Sequence, residues 1–203
     1  MTKRVVLGVS GASGAGIAMR IAELLHEVPG AETHLVVSRA AELTLAHETG
    51  PDALERLSRL VNRRHDIEDV GAPIASGSFA TAGMIVAPCS MRTLSAIAVG
   101  LADNLLVRTA DVHLKERRRL VLMARESPLH LGHLRAMVQA TELGAIVAPP
   151  VPAFYLRPAC IAAMIDHLAR RMIDLLGIAE APLATPWAAQ ADGDAPVLPL
   201  YGG

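Results

Sequence analysis

Short runs of β-branched and other aliphatic residues alternate along this chain with longer amphipathic segments. Such alternation is typical of βαβ units, whose parallel strands form one sheet covered by helices on both faces. The sequence therefore predicts an α/β fold, a flavodoxin- or Rossmann-like open parallel sheet of three layers in a single domain. Strands are predicted at residues 4–9, 33–37, 83–87, 120–124 and 145–148, and helices at residues 15–27, 40–48, 52–62, 93–99, 104–116, 131–141 and 158–176.

Charge and hydropathy limit the partners that such a chain can have. The 203 residues include 19 Lys and Arg against 20 Asp and Glu, a formal net charge of -1. Because this balance gives no positive field to attract nucleic acid or an anionic membrane, we expect neither as a partner. The mean hydropathy of +0.37 predicts more apolar surface than one small domain hides, and the interfaces of a homo-oligomer would bury it.

The cysteines and the uncharged segments bear on location. Residues 70–91 carry no charge, but glycines and prolines interrupt them, so they predict a buried loop plus a strand rather than a membrane span. Cys89 and Cys160 are too few for a disulfide framework and belong to no Cys-x-x-Cys pair. The N-terminus lacks the apolar core of a signal peptide. We expect a cytoplasmic protein.

A glycine- and serine-rich turn, residues 8–15, joins the first predicted strand to the first helix. Its backbone N–H groups and the helix dipole favour an anion, so the turn predicts a phosphate site, with a plain tight turn as the alternative. The spacing matches neither the dinucleotide nor the P-loop fingerprint. Ser38 and Arg39 stand where an NAD site needs an acidic residue, which favours a mononucleotide such as FMN.

The loop after the third predicted strand, residues 88–93, combines hydroxyl groups with the cation of Arg92 at the start of a helix. Ser90 is a candidate N-cap and also a candidate flavin contact, and the two roles are compatible. Cys89 has no histidine near it in sequence to activate it, so it is predicted to be a small buried apolar residue. The loop therefore predicts a second part of the same site.

Arg125 and Glu126 follow the fourth predicted strand, where a cation and a carboxylate suggest either an anion site or an ordinary surface ion pair. Lys115 precedes that strand and is predicted to reach an anion at the strand ends. Tyr155, in a proline-rich loop, and Arg171, in an apolar helix, are either site residues or structural ones. His130 and His133 have i, i+3 spacing, but no Asp or Glu is spaced to complete a ligand set and no H-E-x-x-H motif occurs, so no metal is expected.

Several of these stretches occur together in an order and spacing that resembles one family, the UbiX-type flavin prenyltransferases, whose members have also been called phenolic-acid decarboxylase proteins. The likeness covers nearly the whole chain. It is carried by residues 11–15, Ser38 with Glu48-Thr49, residues 75–79, 88–94, 104–112 and 114–118, Arg125-Glu126, Phe154-Tyr155, and Arg171 before residues 176–178.

The resemblance implies an activity and an assembly. Members of the family join a dimethylallyl group from dimethylallyl monophosphate to N5 and C6 of reduced FMN, without a metal, and the prenylated FMN serves a partner UbiD-type decarboxylase. They share a flavodoxin-like fold and assemble into dodecamers with sites at subunit junctions. By this resemblance, residues 1–178 form an FMN-binding flavoprotein domain. Residues 179–203, a tail rich in Ala and Pro, are predicted to form a C-terminal arm.

The resemblance also implies roles for individual residues. Glu48 would manage protons at the flavin, and Trp187 on the arm would offer its π face to the allylic cation. Lys115 and Glu126 would act in catalysis and, with Tyr155 and Arg171, would surround the prenyl phosphate. FMN would be held by Gly11, Ala12, Ser13, Ser38, Ser90, Met91, Arg92, Thr93 and Arg125.

Three other functions can be weighed against the sequence. Flavin-dependent cysteine decarboxylases share the sheet pattern and FMN, but their histidine is missing from the segment before Gly77. A non-catalytic FMN-binding subunit of an aromatic-acid decarboxylase would not need a second anion site. No separate motif indicates a chain that itself decarboxylates aromatic acids. We therefore expect a prenyltransferase.

Overall fold

The computed structural model describes residues 2–187. Within them, six strands and seven α-helices alternate. The strands are β1 Lys3–Val9, β2 Ala31–Val37, β3 Arg63–His65, β4 Gly83–Cys89, β5 Arg119–Ala124 and β6 Ile146–Val147. The helices are α1 Ala15–Glu27, α2 Arg39–Thr49, α3 Ala53–Arg59, α4 Met91–Ala98, α5 Leu105–Lys115, α6 Leu131–Glu142 and α7 Ile161–Leu176, with short 3-10 helices at Pro73–Ala75 and Phe154–Leu156.

All six strands are parallel, and their order in the sheet is β3-β2-β1-β4-β5-β6. Without the short edge strand β3, the other five follow the order of the flavodoxin sheet. The predicted α/β fold is therefore confirmed. The strand order reverses between β1 and β4, and open parallel sheets bind ligands beyond the carboxyl ends of the strands at such a switch point.

The central strand β1 shows how the two faces of the sheet are covered. Successive side chains of a strand point to opposite faces. Val5 and Leu7 pack in the core that includes α1, α2, α3 and α7, whereas Val6 packs in the core that includes α4, α5 and α6. Burial on both faces explains the unbroken apolar run of this strand.

The sequence prediction missed β3. Helix α3 ends at Arg59, earlier than predicted, and β3 follows with Arg63 and Arg64 exposed. A three-residue strand with charged side chains lacks the apolar pattern that identifies strands, and its charges discourage pairing with another chain at this edge.

The segment before β4 was predicted to be a buried loop, and this is only partly correct. Ala72, Ile74 and Ala75 are buried in the core, whereas Val70 is 52% exposed. Loops stay near the surface because their backbone polar groups need water. Across residues 2–187, no helix is long and apolar enough to cross a membrane.

The chain turns back after α7 and runs along that helix toward the end of the sheet where the parallel strands finish. We call this end the carboxyl edge of the sheet, and the opposite end, where the strands begin, the amino edge. The Asp174 carboxylate accepts hydrogen bonds from Leu183 N at 2.7 Å and Ala184 N at 3.0 Å. Ile178 is buried in the core. The first part of the predicted arm therefore packs on α7, and residues 188–203 lie outside the described residues.

Three histidines are buried in the fold. His34 Nδ1 lies 2.9 Å from His65 Nε2, and His34 Nε2 lies 3.1 Å from a Glu32 carboxylate oxygen. His113 Nδ1 lies 2.7 Å from Thr109 O. Burial lowers the pKa of His65 and the pKa of His113 to about 4, and it lowers the pKa of His34. All three are neutral at pH 7.

We expect the free energy of unfolding to decrease as the pH falls from about 6.5 to about 5. Unfolded histidines titrate near pH 6.5, whereas His65 and His113 stay neutral until about pH 4, so the unfolded state binds more protons in this window. Each of these two histidines contributes a slope of up to about 1.4 kcal/mol per pH unit. Urea unfolding across the window measures the slope, which His113→Gln should reduce and exposed His26→Gln should not. A flat profile would contradict the expectation.

Candidate functional site

Hydrogen bonds join the loops that follow β1, β2, β4 and β5 at one edge of the sheet. Ser10 Oγ donates to Pro88 O at 2.9 Å and accepts from Ser90 N at 2.7 Å, so it joins the loop after β1 to the loop after β4. Ser38 N and Arg125 N donate to carbonyl groups at the ends of β1 and β4, at 2.9 and 3.1 Å. The predicted FMN-binding residues therefore lie on neighbouring loops.

The first of these loops lies close to the start of α2. A Cβ at Gly11 would be 2.5 Å from the Ala40 Cβ, so only glycine fits at this position. Gly14 has a φ of 118°, which other residues rarely adopt. Ala12 is buried, and Ser13 is exposed at the edge of the sheet.

Glu48, from the last turn of α2, reaches the N-terminus of α1. One of its carboxylate oxygens accepts hydrogen bonds from Gly14 N at 2.9 Å and Ala15 N at 2.8 Å. Although partial burial opposes the change, these bonds, a hydrogen bond with Ser13 and the charge of Arg125 lower the pKa of the Glu48 carboxyl. The sequence predicted a bound phosphate at this helix N-terminus. In the structure, the Glu48 carboxylate accepts the hydrogen bonds of these N–H groups instead.

Serine residues cap two further helices that begin at this edge. Ser90 Oγ accepts from Thr93 N at 3.3 Å at the start of α4, which confirms the N-cap prediction. Ser38 Oγ accepts from Ala41 N at 3.2 Å at the start of α2. The first turn of a helix carries N–H groups without intrahelical acceptors, and such groups bind phosphate well.

The other residues of the 88–93 loop divide between the core and the surface. Met91 is 5% exposed and its side chain packs in the core. At this position the backbone, rather than the side chain, is available to contact a ligand. The Arg92 guanidinium is held by Asp103 Oδ2 at 2.6 Å. Cys89 is buried, and burial raises the pKa of its thiol, which agrees with the prediction of an unreactive apolar residue.

Arg125 and Glu126 follow β5 at the same edge, and both are exposed. The positive charge of Arg125 lowers the pKa of the Glu48 carboxyl, so Arg125 is close to the loop after β1. A Glu126 carboxylate oxygen accepts from Ser127 N at 3.0 Å. Arg125 is therefore near enough to Glu48 to interact with it electrostatically, and its backbone N donates to Cys89 O.

Tyr155 and Trp187 form a contact between the loop after β6 and the C-terminal segment. Their ring centroids are 4.8 Å apart with an angle of 72° between the planes, and Trp187 is 71% exposed. Arg171 lies on α7 with an exposed side chain, whereas its neighbour Arg170 is held by Asp166 at 2.6 Å. Arg171 is therefore a cation available at the surface.

Lys115 lies at the opposite edge of the sheet. Helix α5 ends at Lys115 and β5 begins at Arg119, so Lys115 precedes the amino end of the strand whose carboxyl end leads to Glu126. Six strand residues span roughly 20 Å. The prediction that Lys115 reaches the strand ends was wrong for a single chain, because a parallel connection returns the chain to the amino edge before each strand.

The histidines do not assemble a metal site. His130 Nδ1 accepts from His133 N at 3.3 Å, and the two rings are stacked with centroids 3.5 Å apart. Across residues 2–187, no three His, Cys, Asp or Glu side chains lie together as a metal ion would require.

Two residues that organise the site went unpredicted. Ser10 joins the loops after β1 and β4, and the signal for it was a hydroxyl at the end of an apolar strand, a position where a buried polar group needs partners. Asp103 holds Arg92 from 11 residues away, a separation that no sequence pattern marks.

The parallel sheet, its switch point and the loops at its carboxyl edge define a nucleotide-binding α/β protein. A model of the Flavoprotein family matches residues 1–167. The flavin prenyltransferase UbiX of Thauera aromatica is 56% identical over 171 residues, which are 84% of this chain and 87% of that relative. The chain belongs to the UbiX-type flavin prenyltransferases.

Two crystal structures are similar over most of this chain. AnUbiX (PadA1) in complex with FMN and dimethylallyl pyrophosphate is 45% identical, with a TM-score of 0.84 over 88% of this chain and 94% of that one. A dodecameric FMN-dependent UbiX-like decarboxylase from Escherichia coli O157:H7 is 42% identical, with a TM-score of 0.86 over 91% of this chain and 98% of that one.

Proposed function

We propose that this protein joins a dimethylallyl group from dimethylallyl monophosphate to N5 and C6 of reduced FMN, without a metal ion. The observation that carries the proposal is the 56% identity with a flavin prenyltransferase over 84% of the chain. A second structure, 45% identical, was solved with FMN and dimethylallyl pyrophosphate. Reduced FMN, when bound, supplies the nucleophilic N5 and C6 atoms.

The loops at the carboxyl edge fit FMN, and their charges suggest its direction. The N-terminus of α1 already receives the Glu48 carboxylate, which would repel a phosphate, whereas α4 is capped by the neutral Ser90 hydroxyl. We assign the phosphate end to Ser38, Ser90, Met91, Arg92, Thr93 and Arg125, and the ring system to Gly11, Ala12 and Ser13.

The remaining residues would act on the prenyl phosphate and on protons. As the C–O bond breaks, the electron pair leaves with the phosphate, and Lys115, Arg171 and the Tyr155 hydroxyl stabilise the charge that develops there. Glu126 would exchange a proton with the phosphate. Trp187, packed against Tyr155, would offer its π face to the positive charge on the allylic carbon.

Glu48 contacts Gly14 N and Ala15 N, next to the residues that we assign to the flavin ring. Its lowered pKa keeps the carboxyl ionised at neutral pH. An ionised carboxylate can accept a proton, and its bonds to the N-terminus of α1 keep it in position. We therefore assign Glu48 to proton handling at the flavin.

The separation of Lys115 from the other predicted residues supports sites at subunit junctions. We propose a homo-oligomer, a dodecamer like the 42% identical relative, in which Lys115 of one subunit completes the site of another. Exposed apolar side chains offer surface for such contacts: Val99, Leu101, Leu131, Leu134, Val138 and Leu143. Most of them lie on α6 and at the end of α4.

The product would serve a UbiD-type decarboxylase as its cofactor, a partner inferred from the family alone. A cysteine decarboxylase or a non-catalytic FMN-binding subunit is not favoured, because two relatives that are 56% and 51% identical to this chain are flavin prenyltransferases. The segment before Gly77 also lacks the histidine expected of a cysteine decarboxylase.

Anaerobic incubation with reduced FMN and dimethylallyl monophosphate, without added metal, should yield a flavin heavier by one C5H8 unit. Mass spectrometry detects the product, and parallel reactions with dimethylallyl diphosphate decide which donor is used. EDTA in a matched reaction tests independence from metal. FMN binding without product from either donor would contradict the proposed activity, and no FMN binding would contradict the assignment of the carboxyl-edge loops.

A further inference from the structure

The half-exposed Lys115 side chain forms an ion pair with the next residue at the amino edge of the sheet. Its Nζ lies 2.5 Å from a Glu116 carboxylate oxygen, and this contact lowers the pKa of the Glu116 carboxyl. The pair lies against the backbone of Gly77, in the loop that leads to β4. A Cβ built on Gly77 would overlap the Glu116 carboxylate and lie 2.7 Å from Lys115 Nζ.

Gly77 is needed for space and not for backbone conformation. It is absent from the glycines of the described chain that have a positive φ, so other residues could adopt its backbone angles. A side chain at this position would overlap the space that the Lys115 and Glu116 side chains occupy, so one of them must shift. A glycine kept for that reason maintains the close approach of the ion pair to the loop.

The loop itself is fixed from the other side. Arg118 Nη2 donates to Gly77 O at 2.5 Å, and Arg118 Nη1 donates to Phe79 O at 2.9 Å. The ends of the Lys115 and Glu116 side chains are flexible by comparison. A methyl group at Gly77 would therefore displace the ion pair and leave the loop in place.

We propose that Gly77 and Glu116 are positioning residues that hold the Lys115 ammonium ready for the phosphate of the prenyl donor. The inference rests on the proposed function, in which Lys115 contacts that phosphate. An ammonium has three donors, so one bond to Glu116 leaves two for phosphate oxygens. Holding a long lysine side chain before the substrate arrives removes the cost of ordering it at that moment.

The first test replaces Gly77 by alanine. We expect Gly77→Ala to slow prenyl transfer by about tenfold or more, because small displacements of a positioned group have large effects on rate, while the affinity for FMN is unchanged. Gly71→Ala is the matched control. Gly71 lies in the same loop, and a Cβ built on it would have its nearest neighbouring atom at 3.6 Å, so this variant should react like the wild type. A wild-type rate for Gly77→Ala would overturn the proposal.

A double-mutant cycle separates positioning from a structural role. The dissociation constant of dimethylallyl monophosphate is measured on the oxidised FMN complex, in wild type, Gly77→Ala, Lys115→Ala and the double variant. If Gly77 acts through Lys115, Gly77→Ala weakens binding in the wild-type background and has no further effect once Lys115 is alanine. Equal weakening in both backgrounds would overturn the proposal.

Glu116→Gln adds a readout that a structural role would not move. The amide keeps an acceptor near Lys115 but removes a negative charge from the vicinity of the donor phosphate. We therefore expect kcat to fall while KM for dimethylallyl monophosphate does not rise. A rise in KM with unchanged kcat would count against positioning. Absence of prenylated flavin from the wild-type protein would instead refute the proposed function, so the two failures are distinguishable.

Discussion

Glu126→Gln should slow prenyl transfer by about 100-fold or more, the usual range for loss of a general acid or base, while FMN stays bound. The amide can still accept the hydrogen bond from Ser127 N that the carboxylate accepts at 3.0 Å, so the loop after β5 keeps its shape. Arg125, assigned to the FMN phosphate, is unchanged. What the variant loses is a group that can exchange a proton with the phosphate.

The measurement is single-turnover formation of prenylated FMN under anaerobic conditions, with FMN affinity determined by fluorescence titration. Glu142→Gln is the matched control, because Glu142 is an exposed carboxylate at the end of α6 and has no assigned role. A normal rate for Glu126→Gln would remove the catalytic assignment of this carboxylate. Loss of FMN binding would show that Glu126 belongs to the flavin site.

The sheet could be predicted because buried parallel strands carry a strong sequence signal. The run from Val5 to Val9 is buried on both faces, so it consists of apolar residues without alternation. Loops at the carboxyl ends of such strands meet at one edge, and the proximity of the Gly11, Ser90 and Arg125 loops followed from that rule alone. The charged strand β3 carries no comparable signal.

The parts of the site that could not be predicted depend on contacts between distant residues. Glu48 was singled out only by resemblance, since nothing in the sequence of α2 shows that it reaches the N-terminus of α1. The place of Lys115 required the direction of α5, which runs from the carboxyl edge to the amino edge of the sheet. Local sequence records helix periodicity, but it does not record which edge a helix end approaches.

Two inactive variants should recover activity when they share one oligomer. Lys115→Met removes the cation before the amino end of β5, and Glu126→Gln removes the carboxylate after its carboxyl end. If each site takes these two residues from different subunits, random mixing leaves about one quarter of the sites with both residues intact, by simple statistics of a symmetric assembly. Each variant alone should show a small fraction of that rate.

Co-expression with two different affinity tags and sequential purification isolates the mixed oligomers, whose prenyl transfer rate is then compared with that of each variant. Mixed oligomers of Lys115→Met and Lys115→Ala are the control, because every site in them lacks the ammonium. Recovery above this control is the result that a site shared between subunits requires, since within one chain roughly 20 Å of strand separates the two residues. If the mixed oligomers show no recovery, either both residues act in the same site of one subunit or Lys115 lies outside the site. Either outcome would refute a site shared between subunits.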